Sequence, residues 1–238
     1  MGRKISNFFI GLSLFLSILG PGIITATVDN DAGGITTYSL AGSNFGYALL
    51  WIMIPVLILL IIVQEMSSRL GVVTGKGLGD LIRENFPIKI TFFIMVVLII
   101  VNITNTISEF AGIAAAAEIF GVSRYIAVPI AAFFVWWLVL KSNYQSVEKI
   151  FIVACLFYVA YIIAGFMVKP DWSLVARNTV IPTFHFKKEY LIMIVGIIGT
   201  TIAPWIQSSP QSSVAEKHIK KEHYKYAKLD VIIGCVIS

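Results

Sequence analysis

Charged residues are scarce in this 238-residue chain, because Asp, Glu, Lys and Arg together make up only 13% of it. Hydrophobic residues account for 58%, and the mean hydropathy is +0.87. The apolar residues form separate runs close to the roughly 20 residues that an α-helix needs to cross a bilayer. A water-soluble fold does not bury so many runs of this length. The composition therefore excludes a soluble domain and predicts an all-α, multi-pass membrane protein.

The sequence has only two cysteines and no complete nucleotide-binding motif. The two cysteines, Cys155 and Cys235, both lie in apolar runs, so no disulfide framework is predicted. The first apolar run has no small-residue cleavage site, which argues against a removable signal peptide.

A glycine-rich stretch follows the second apolar run, but it lacks the complete phosphate-binding fingerprint and no predicted strand precedes it. Its glycines are instead predicted to allow the unusual backbone dihedrals of a tight turn at the membrane surface: Gly71, Gly75, Gly77 and Gly79.

The apolar runs predict six complete spans, of which the first and the sixth are interrupted. In chain order they are Phe8 to about Leu40, Phe45–Val63, Ile90–Phe120, Tyr125–Leu140, Val147–Val168 and Tyr190 to about Ser213. A seventh run begins at Leu229 and stops at Ser238, which is too short to cross the bilayer. We therefore expect the sequence to stop inside a helix and the protein to need further C-terminal helices.

Lys and Arg concentrate in one set of alternating connections, including the basic run EKHIKKEHYKYAK near the end of the chain. Positive residues favour the cytoplasmic side, so the amino terminus is predicted to be cytoplasmic. The basic run is predicted to be a solvated loop near anionic lipid headgroups. This asymmetry accounts for the net charge of +5 without nucleic-acid binding.

Acids and glycines interrupt the first span at Asp29, Asp31, Gly33 and Gly34. An acid at the bilayer centre costs roughly 2.5–3.5 kcal/mol, and each glycine costs about 0.8–1.0 kcal/mol of helix stability. Irregular backbone at that depth survives only where protein buries it or where it lines a water-filled cavity. A broken helix with an acid at the break is typical of a transporter's cation site. A short extracellular loop between two ordinary spans is the alternative.

The third span has a polar face, because Asn102, Asn105 and Glu109 follow a helical spacing and Thr106 borders them. Glu109 lies near the middle of the helix, where it is predicted to carry a proton. A neutral Glu109 satisfied by a neighbouring helix is the alternative. Gly112 is predicted to let another helix approach closely.

The sixth span contains Pro204 and Pro210. A proline removes a backbone donor and frees a carbonyl one turn earlier, which falls near Thr200. Interruptions in spans one and six together predict a substrate site between two inverted halves. A simple proline kink is the alternative.

Four segments resemble successive signatures of the Nramp divalent-metal transporters: GPG…DAGG…LAGSNFGYALLW, RLGVVTGKGLGDLIRE, SEFAGIAAA and GTTIAPWIQ. The similarity covers essentially the whole chain. It implies a LeuT-type fold of two inverted five-helix repeats within a single transmembrane domain, 1–238. The first repeat is then expected at about 8–168, and the beginning of the second at about 190–238.

The departures from the family pattern lie at the implied metal site. The family's DPGN falls on Asp31–Gly34, so the metal-binding Asp is kept as Asp31 and the ligand Asn is replaced by Gly34. The family's MPH falls on 203–205, so the thioether ligand becomes Ala203 and the histidine becomes Trp205. The helix-three glutamate is kept as Glu109, whereas the Asp before it is Thr106. This set resembles the Nramp-related magnesium transporter branch.

The resemblance implies a metal site of Asp31, carbonyls near Val28 and Thr200, and the positions Gly34 and Ala203. It also implies pathway or proton-route positions, which are Asn102, Asn105, Thr106, Glu109 and Trp205. Loss of a soft thioether removes selection against hard ions, and Mg²⁺ usually keeps several of its waters. We therefore expect a plasma-membrane importer of Mg²⁺, and also of Mn²⁺, with little or no proton coupling and without a cofactor or a catalytic residue.

Three alternatives remain open. The first is a proton-coupled Mn²⁺ or Fe²⁺ carrier of the ordinary Nramp type. The second is an intramembrane aspartyl protease using Asp29 and Asp31, although these acids are too close in sequence to come from two facing helices. The third is an inert truncated chain or a partner subunit.

Overall fold

The computed structural model describes residues 31–141, 159–216, 219 and 221–237, without the side chains of positions 159, 205 and 209. Within these residues the fold is helical and contains no strand. Two 3₁₀ segments, Gly46–Ile52 and Lys221–His223, accompany ten α-helices. In chain order the helices are α1 (Ala32–Phe45), α2 (Met53–Thr74), α3 (Leu78–Asn85), α4 (Ile88–Ile119), α5 (Arg124–Lys141), α6 (Val159–Met167), α7 (Trp172–Val180), α8 (Lys188–Thr201), α9 (Pro204–Glu216) and α10 (Tyr224–Ile237).

Four helical segments of the described chain are long and apolar enough to cross a membrane. They are Ala32–Thr74, Ile88–Ile119, Arg124–Lys141 and Lys188–Glu216. The helices α4 and α5 agree closely with the predicted third and fourth spans. The sixth span is interrupted as predicted, because α8 ends at Thr201 and α9 begins at Pro204. Most of the predicted fifth span lies outside the described residues.

The prediction for the second span was wrong at both ends. Phe45 is the last residue of α1, and a 3₁₀ segment separates it from α2. The helix α2 then continues to Thr74, about three turns beyond the predicted end at Val63. Its polar residues Gln64 and Ser68 remain helical because they are buried against other helices rather than exposed in a loop.

The glycine-rich turn is much shorter than predicted. Gly75 ends α2 with a φ of 64°, a left-handed conformation that favours glycine. Gly71 lies inside α2, Gly77 caps α3 in an extended conformation, and Gly79 lies within α3. Unusual dihedrals are therefore needed at Gly75 alone among these four.

The two halves of the interrupted sixth span pack against different helices. The helix α8 packs mainly against α1, and α9 packs against α2 and α3. The buried apolar cluster around α8 contains Ala41, Leu49, Ile52, Val56, Tyr190 and Ile197. Two further clusters join α2, α9 and α10, one around Leu60 and Ile206 and the other around Val72 and Val214. The break therefore lies at the boundary between two groups of packed helices.

Candidate metal site between the start of α1, α4 and the interrupted sixth span

The helix α1 begins directly after Asp31, at the place where the sequence predicts an interruption. The Asp31 carboxylate caps the helix, because its Oδ1 accepts a hydrogen bond of 2.6 Å from the Gly34 amide. Such a cap satisfies one of the free amides of the first turn. A carboxylate has about four acceptor positions, so the cap leaves Asp31 able to bind a cation.

Glu109 of α4 lies beside the same helix terminus. Both of its carboxylate oxygens are 3.3 Å from the Ala32 amide nitrogen. The approach of α4 to α1 depends on Gly112, because a Cβ there would lie 2.5 Å from the Ala32 Cβ. This agrees with the packing role predicted for Gly112. Two acids, Asp31 and Glu109, therefore flank the amino terminus of α1.

The interruption of the sixth span consists of Ile202 and Ala203, which join α8 to α9. Pro204 is the first residue of α9, a position where its missing amide donor breaks no helical hydrogen bond. Before the break, the Thr201 hydroxyl lies 2.6 Å from the Tyr38 hydroxyl. This hydrogen bond ties the end of α8 to α1.

A cavity of about 390 Å³ lies between the start of α1, the junction of α8 with α9, and α4. Its lining residues come from α1, α4 and the junction of α8 with α9, and they are Asp31, Gly33, Ile100, Val101, Thr104, Asn105, Ser108, Gly199, Thr200, Ala203 and Pro204. At roughly 30 Å³ per water molecule, this volume corresponds to about a dozen waters. The cavity therefore has room for a cation together with a hydration shell.

Three of the five predicted metal-site positions line this cavity, namely Asp31, Thr200 and Ala203. Gly34 is buried and donates its amide to Asp31 rather than lining the cavity, whereas its neighbour Gly33 does line it. Val28 lies outside the described residues.

The predicted pathway positions separate in space. Asn105 lines the cavity, and Glu109 lies next to it at the start of α1. Asn102 and Thr106 are exposed, and the Thr106 hydroxyl donates to the Asn102 carbonyl at 2.9 Å. The side chain of Trp205 is not among those described.

Sequence reasoning missed Thr104 and Ser108 because it centred the polar face of α4 on Asn102 and Glu109. The face that lines the cavity is rotated from that one and contains Val101, Thr104, Asn105 and Ser108. These four positions follow the spacing i, i+3, i+4 and i+7, which marks one side of a helix. That spacing was the signal available in the sequence.

Among the described lining residues, the side-chain atoms that could coordinate a metal ion are all oxygens. Asp31 contributes a carboxylate, Asn105 an amide oxygen, and the hydroxyls come from Thr104, Ser108 and Thr200. Oxygen ligands suit hard cations such as Mg²⁺, Ca²⁺ and Mn²⁺, whereas sulfur ligands favour softer ions. The arrangement is chemically suited to a hard divalent cation that keeps part of its water shell.

Comparison with known proteins gives sequence relatives and structural neighbours. The chain is 30% identical over 231 residues to the divalent metal cation transporter MntH of Yersinia pestis and to that of Yersinia pseudotuberculosis. The alignment covers 94% of this chain and 56% of each relative, so the chain spans about half the length of these transporters.

The solved structures of the Eremococcus coleocola manganese transporter have the same fold. The structure in complex with an aromatic bis-isothiourea substituted compound matches with a TM-score of 0.81 and 24% identity. The structural alignment covers 94% of this chain and 49% of the Eremococcus coleocola chain. The likeness shows the fold alone, which is the predicted all-α, LeuT-type arrangement of a multi-pass membrane protein.

The family model described as natural resistance-associated macrophage protein-like matches residues 22–238. This match includes Asp31 and the junction of α8 with α9, which line the cavity, and Glu109, which lies next to it. The chain therefore belongs to the Nramp family.

Proposed function

We propose that this protein transports divalent metal cations across a membrane and binds them in the cavity at Asp31. The observation that carries the proposal is the position of Asp31, a helix cap that lines a cavity between the start of α1, α4 and the interruption of the sixth span. Interrupted helices supply both a side-chain ligand and free carbonyls to a bound ion. The names of the Yersinia relatives support divalent cations as the substrate class.

Mg²⁺ is proposed as the preferred substrate, with Mn²⁺ also carried. Ala203 adds no donor side chain to the cavity, and neither does Gly33. The remaining possible metal ligands are side-chain oxygens from the start of α1, from α4 and from α8, and the cavity has space for several water molecules. Mg²⁺ gives up its waters reluctantly and needs only one or two carboxylates. A spacious cavity with a few oxygen ligands suits this ion better than a tight cage would.

A proton-coupled carrier of Mn²⁺ or Fe²⁺ is the second candidate. The observation that favours it is the carboxylate of Glu109, which lies at the same helix terminus as Asp31. An acid so close to a metal site is well placed to exchange a proton when the metal binds. The two candidates differ in metal ranking and in proton movement, and both are measurable.

The test of the proposed function is metal uptake by the full-length protein in proteoliposomes. Asp31→Asn keeps a side chain that can cap a helix but removes the charge, so we expect Mg²⁺ uptake to be abolished while the protein stays folded. Asp171 provides the matched control because it caps α7 through Ser173 and Leu174 and does not line the cavity. Asp171→Asn should transport normally. Uptake near the wild-type rate in Asp31→Asn would show that the site lies elsewhere.

A further inference from the structure

We propose that Gln211 is a positioning residue for the metal cavity, because it holds α9 against the turn that follows α2. This inference rests on the proposed function of the cavity. The group of residues that makes the contact is called here the α9 clamp, and it consists of Gly71, Lys76 and Gln211.

The helix α9 needs an external contact because it is not continuous with α8. Ile202 and Ala203 interrupt the helical hydrogen bonding, and Pro204 has no amide donor. The orientation of α9 relative to α8 must therefore be set by its packing partners. Since Ala203 and Pro204 line the cavity, that packing also sets the position of the cavity wall.

The first contact of the clamp is a close approach of two backbones. A Cβ on Gly71 would lie 2.7 Å from the Gln211 carbonyl oxygen and 3.2 Å from its Cα. No other residue type fits at Gly71 without moving α9 or α2. The absence of a side chain at Gly71, in the last turn of α2, therefore has a packing cause rather than a conformational one.

The second contact is a buried hydrogen bond. The Gln211 side chain is fully buried, and its Nε2 donates to the Lys76 carbonyl at 3.0 Å. The left-handed Gly75 turns the chain after α2 so that this carbonyl meets α9. The Lys76 ammonium is bonded in turn to both carboxylate oxygens of Glu84, at 2.6 and 2.7 Å. The carbonyl that Gln211 binds thus belongs to a turn that is itself joined to α3.

Gln211 does not line the cavity, but it lies on α9, the helix whose first residue, Pro204, does. Gln211 is about 10 Å along α9 from Pro204, at 1.5 Å of rise per residue. Although α9 contains Pro210, it is a continuous helix from Pro204 to Glu216, so a change of its tilt at the clamp displaces the cavity wall. Gln211 would therefore affect metal binding without touching the ion.

The experiment measures Mg²⁺ affinity of the purified full-length protein by isothermal titration calorimetry, together with its thermal stability. Gln211→Met keeps the length of the side chain and removes the donor to Lys76. It also removes Oε1, a buried acceptor with no hydrogen-bond partner among the described residues, which offsets part of the stability lost with the hydrogen bond to Lys76. Gly71→Ala perturbs the same contact from the opposite side, with a residue that is a better helix former. Both variants should raise the dissociation constant of Mg²⁺ by about 3- to 10-fold, as residues that act through packed neighbours do.

Gly79→Ala is the matched control, because a Cβ there would make only an ordinary contact of 3.6 Å with the Met95 side chain. It should bind Mg²⁺ like the wild type. Wild-type affinity in folded Gln211→Met overturns the inference, even if the melting temperature falls, because the role of Gln211 is then only structural. If only Gly71→Ala raises the dissociation constant, the effect belongs to the backbone contact, and a role for the Gln211 side chain is likewise excluded.

Asp31→Ala separates this inference from the proposed function. If Asp31→Ala abolishes binding while Gln211→Met and Gly71→Ala bind normally, the cavity holds the metal and the clamp has no part in its affinity. If Asp31→Ala binds Mg²⁺ normally, the proposed site itself is wrong.

Discussion

Asp31 combines two physical roles in one side chain. It caps α1 through the Gly34 amide, and its charge lies at the amino terminus of that helix. The helix dipole favours a negative charge at this end. The same field would oppose a cation, so the carboxylate and the neighbouring oxygens must outweigh it at the metal site. Loss of the charge should therefore affect metal binding more than loss of the cap.

At the same scale, Asn105 and Ser108 are expected to bind the waters of a hydrated ion. Asn105→Leu and Ser108→Ala should each raise the KM for Mg²⁺ about fivefold, since a typical hydrogen bond contributes about 1 kcal/mol. Thr106→Val is the matched control, because Thr106 lies on the same helix but is exposed and bonds only the Asn102 carbonyl. The measurement is the concentration dependence of uptake. An equal effect of all three substitutions would contradict a specific role for the cavity-lining face.

At the scale of elements, the contact between α1 and α4 brings the two acids together. Gly112 and Ala32 lie at the point of closest approach, one turn from Glu109. Neither helix holds both acids, so their proximity depends on how closely these helices pack. Small residues permit such an approach in membranes, where close packing helps to drive helix association.

Gly112→Ala is expected to separate α4 from α1, because its Cβ would lie 2.5 Å from the Ala32 Cβ. Overpacking of this kind typically costs about 1–3 kcal/mol of stability, and it should also lengthen the contact of Glu109 with the Ala32 amide. Thermal unfolding in detergent and Mg²⁺ binding are the measurements. Gly165→Ala is the control, because no atom of the described residues lies within 4 Å of a Cβ at that position. Equal melting temperatures for the two variants would contradict the close contact.

At the scale of the whole molecule, the interrupted helix joins two groups of packed helices. The helix α8 belongs with α1, whereas α9 belongs with α2 and α3. The cavity lies where these groups meet, so a relative movement of the groups would change its shape. This arrangement suits a transporter, which must expose one site to two sides of a membrane in turn.

Transport is expected to be weakly coupled to protons, or not at all. Thr106 and Trp205 hold no group that titrates in the working pH range, and Glu109 is the remaining acid of the proposed route. The membrane potential supplies roughly 2.3 kcal/mol per charge per 100 mV, which drives an inward divalent ion without a proton gradient. The measurement is intravesicular pH in proteoliposomes during Mg²⁺ uptake with the potential clamped. Metal-dependent acidification that disappears in Glu109→Gln would establish the proton-coupled alternative.

The sequence by itself determined the membrane-spanning class and the interruption of the sixth span, and it predicted a break near Asp31, directly before the start of α1. These features are local, because the bilayer requires about 20 apolar residues whatever the neighbours are. Likewise, Pro204 cannot continue a helix without loss of a donor. A single apolar run with an acid or a proline in it therefore carries the prediction without knowledge of the fold.

Only the tertiary structure decided which side of each helix faces a neighbour. The helix α2 continues past its predicted end with Gln64 and Ser68 buried, and α9 and α10, far away in sequence, pack against this helix. Thr104 and Ser108 line the cavity, and Asn102 does not, because α1 meets one particular face of α4. A polar residue on a helix is equally compatible with a loop, an interface or a cavity until its contacts are known. Those contacts join distant parts of the chain, and a local pattern does not tell which of the possible faces of a helix makes them.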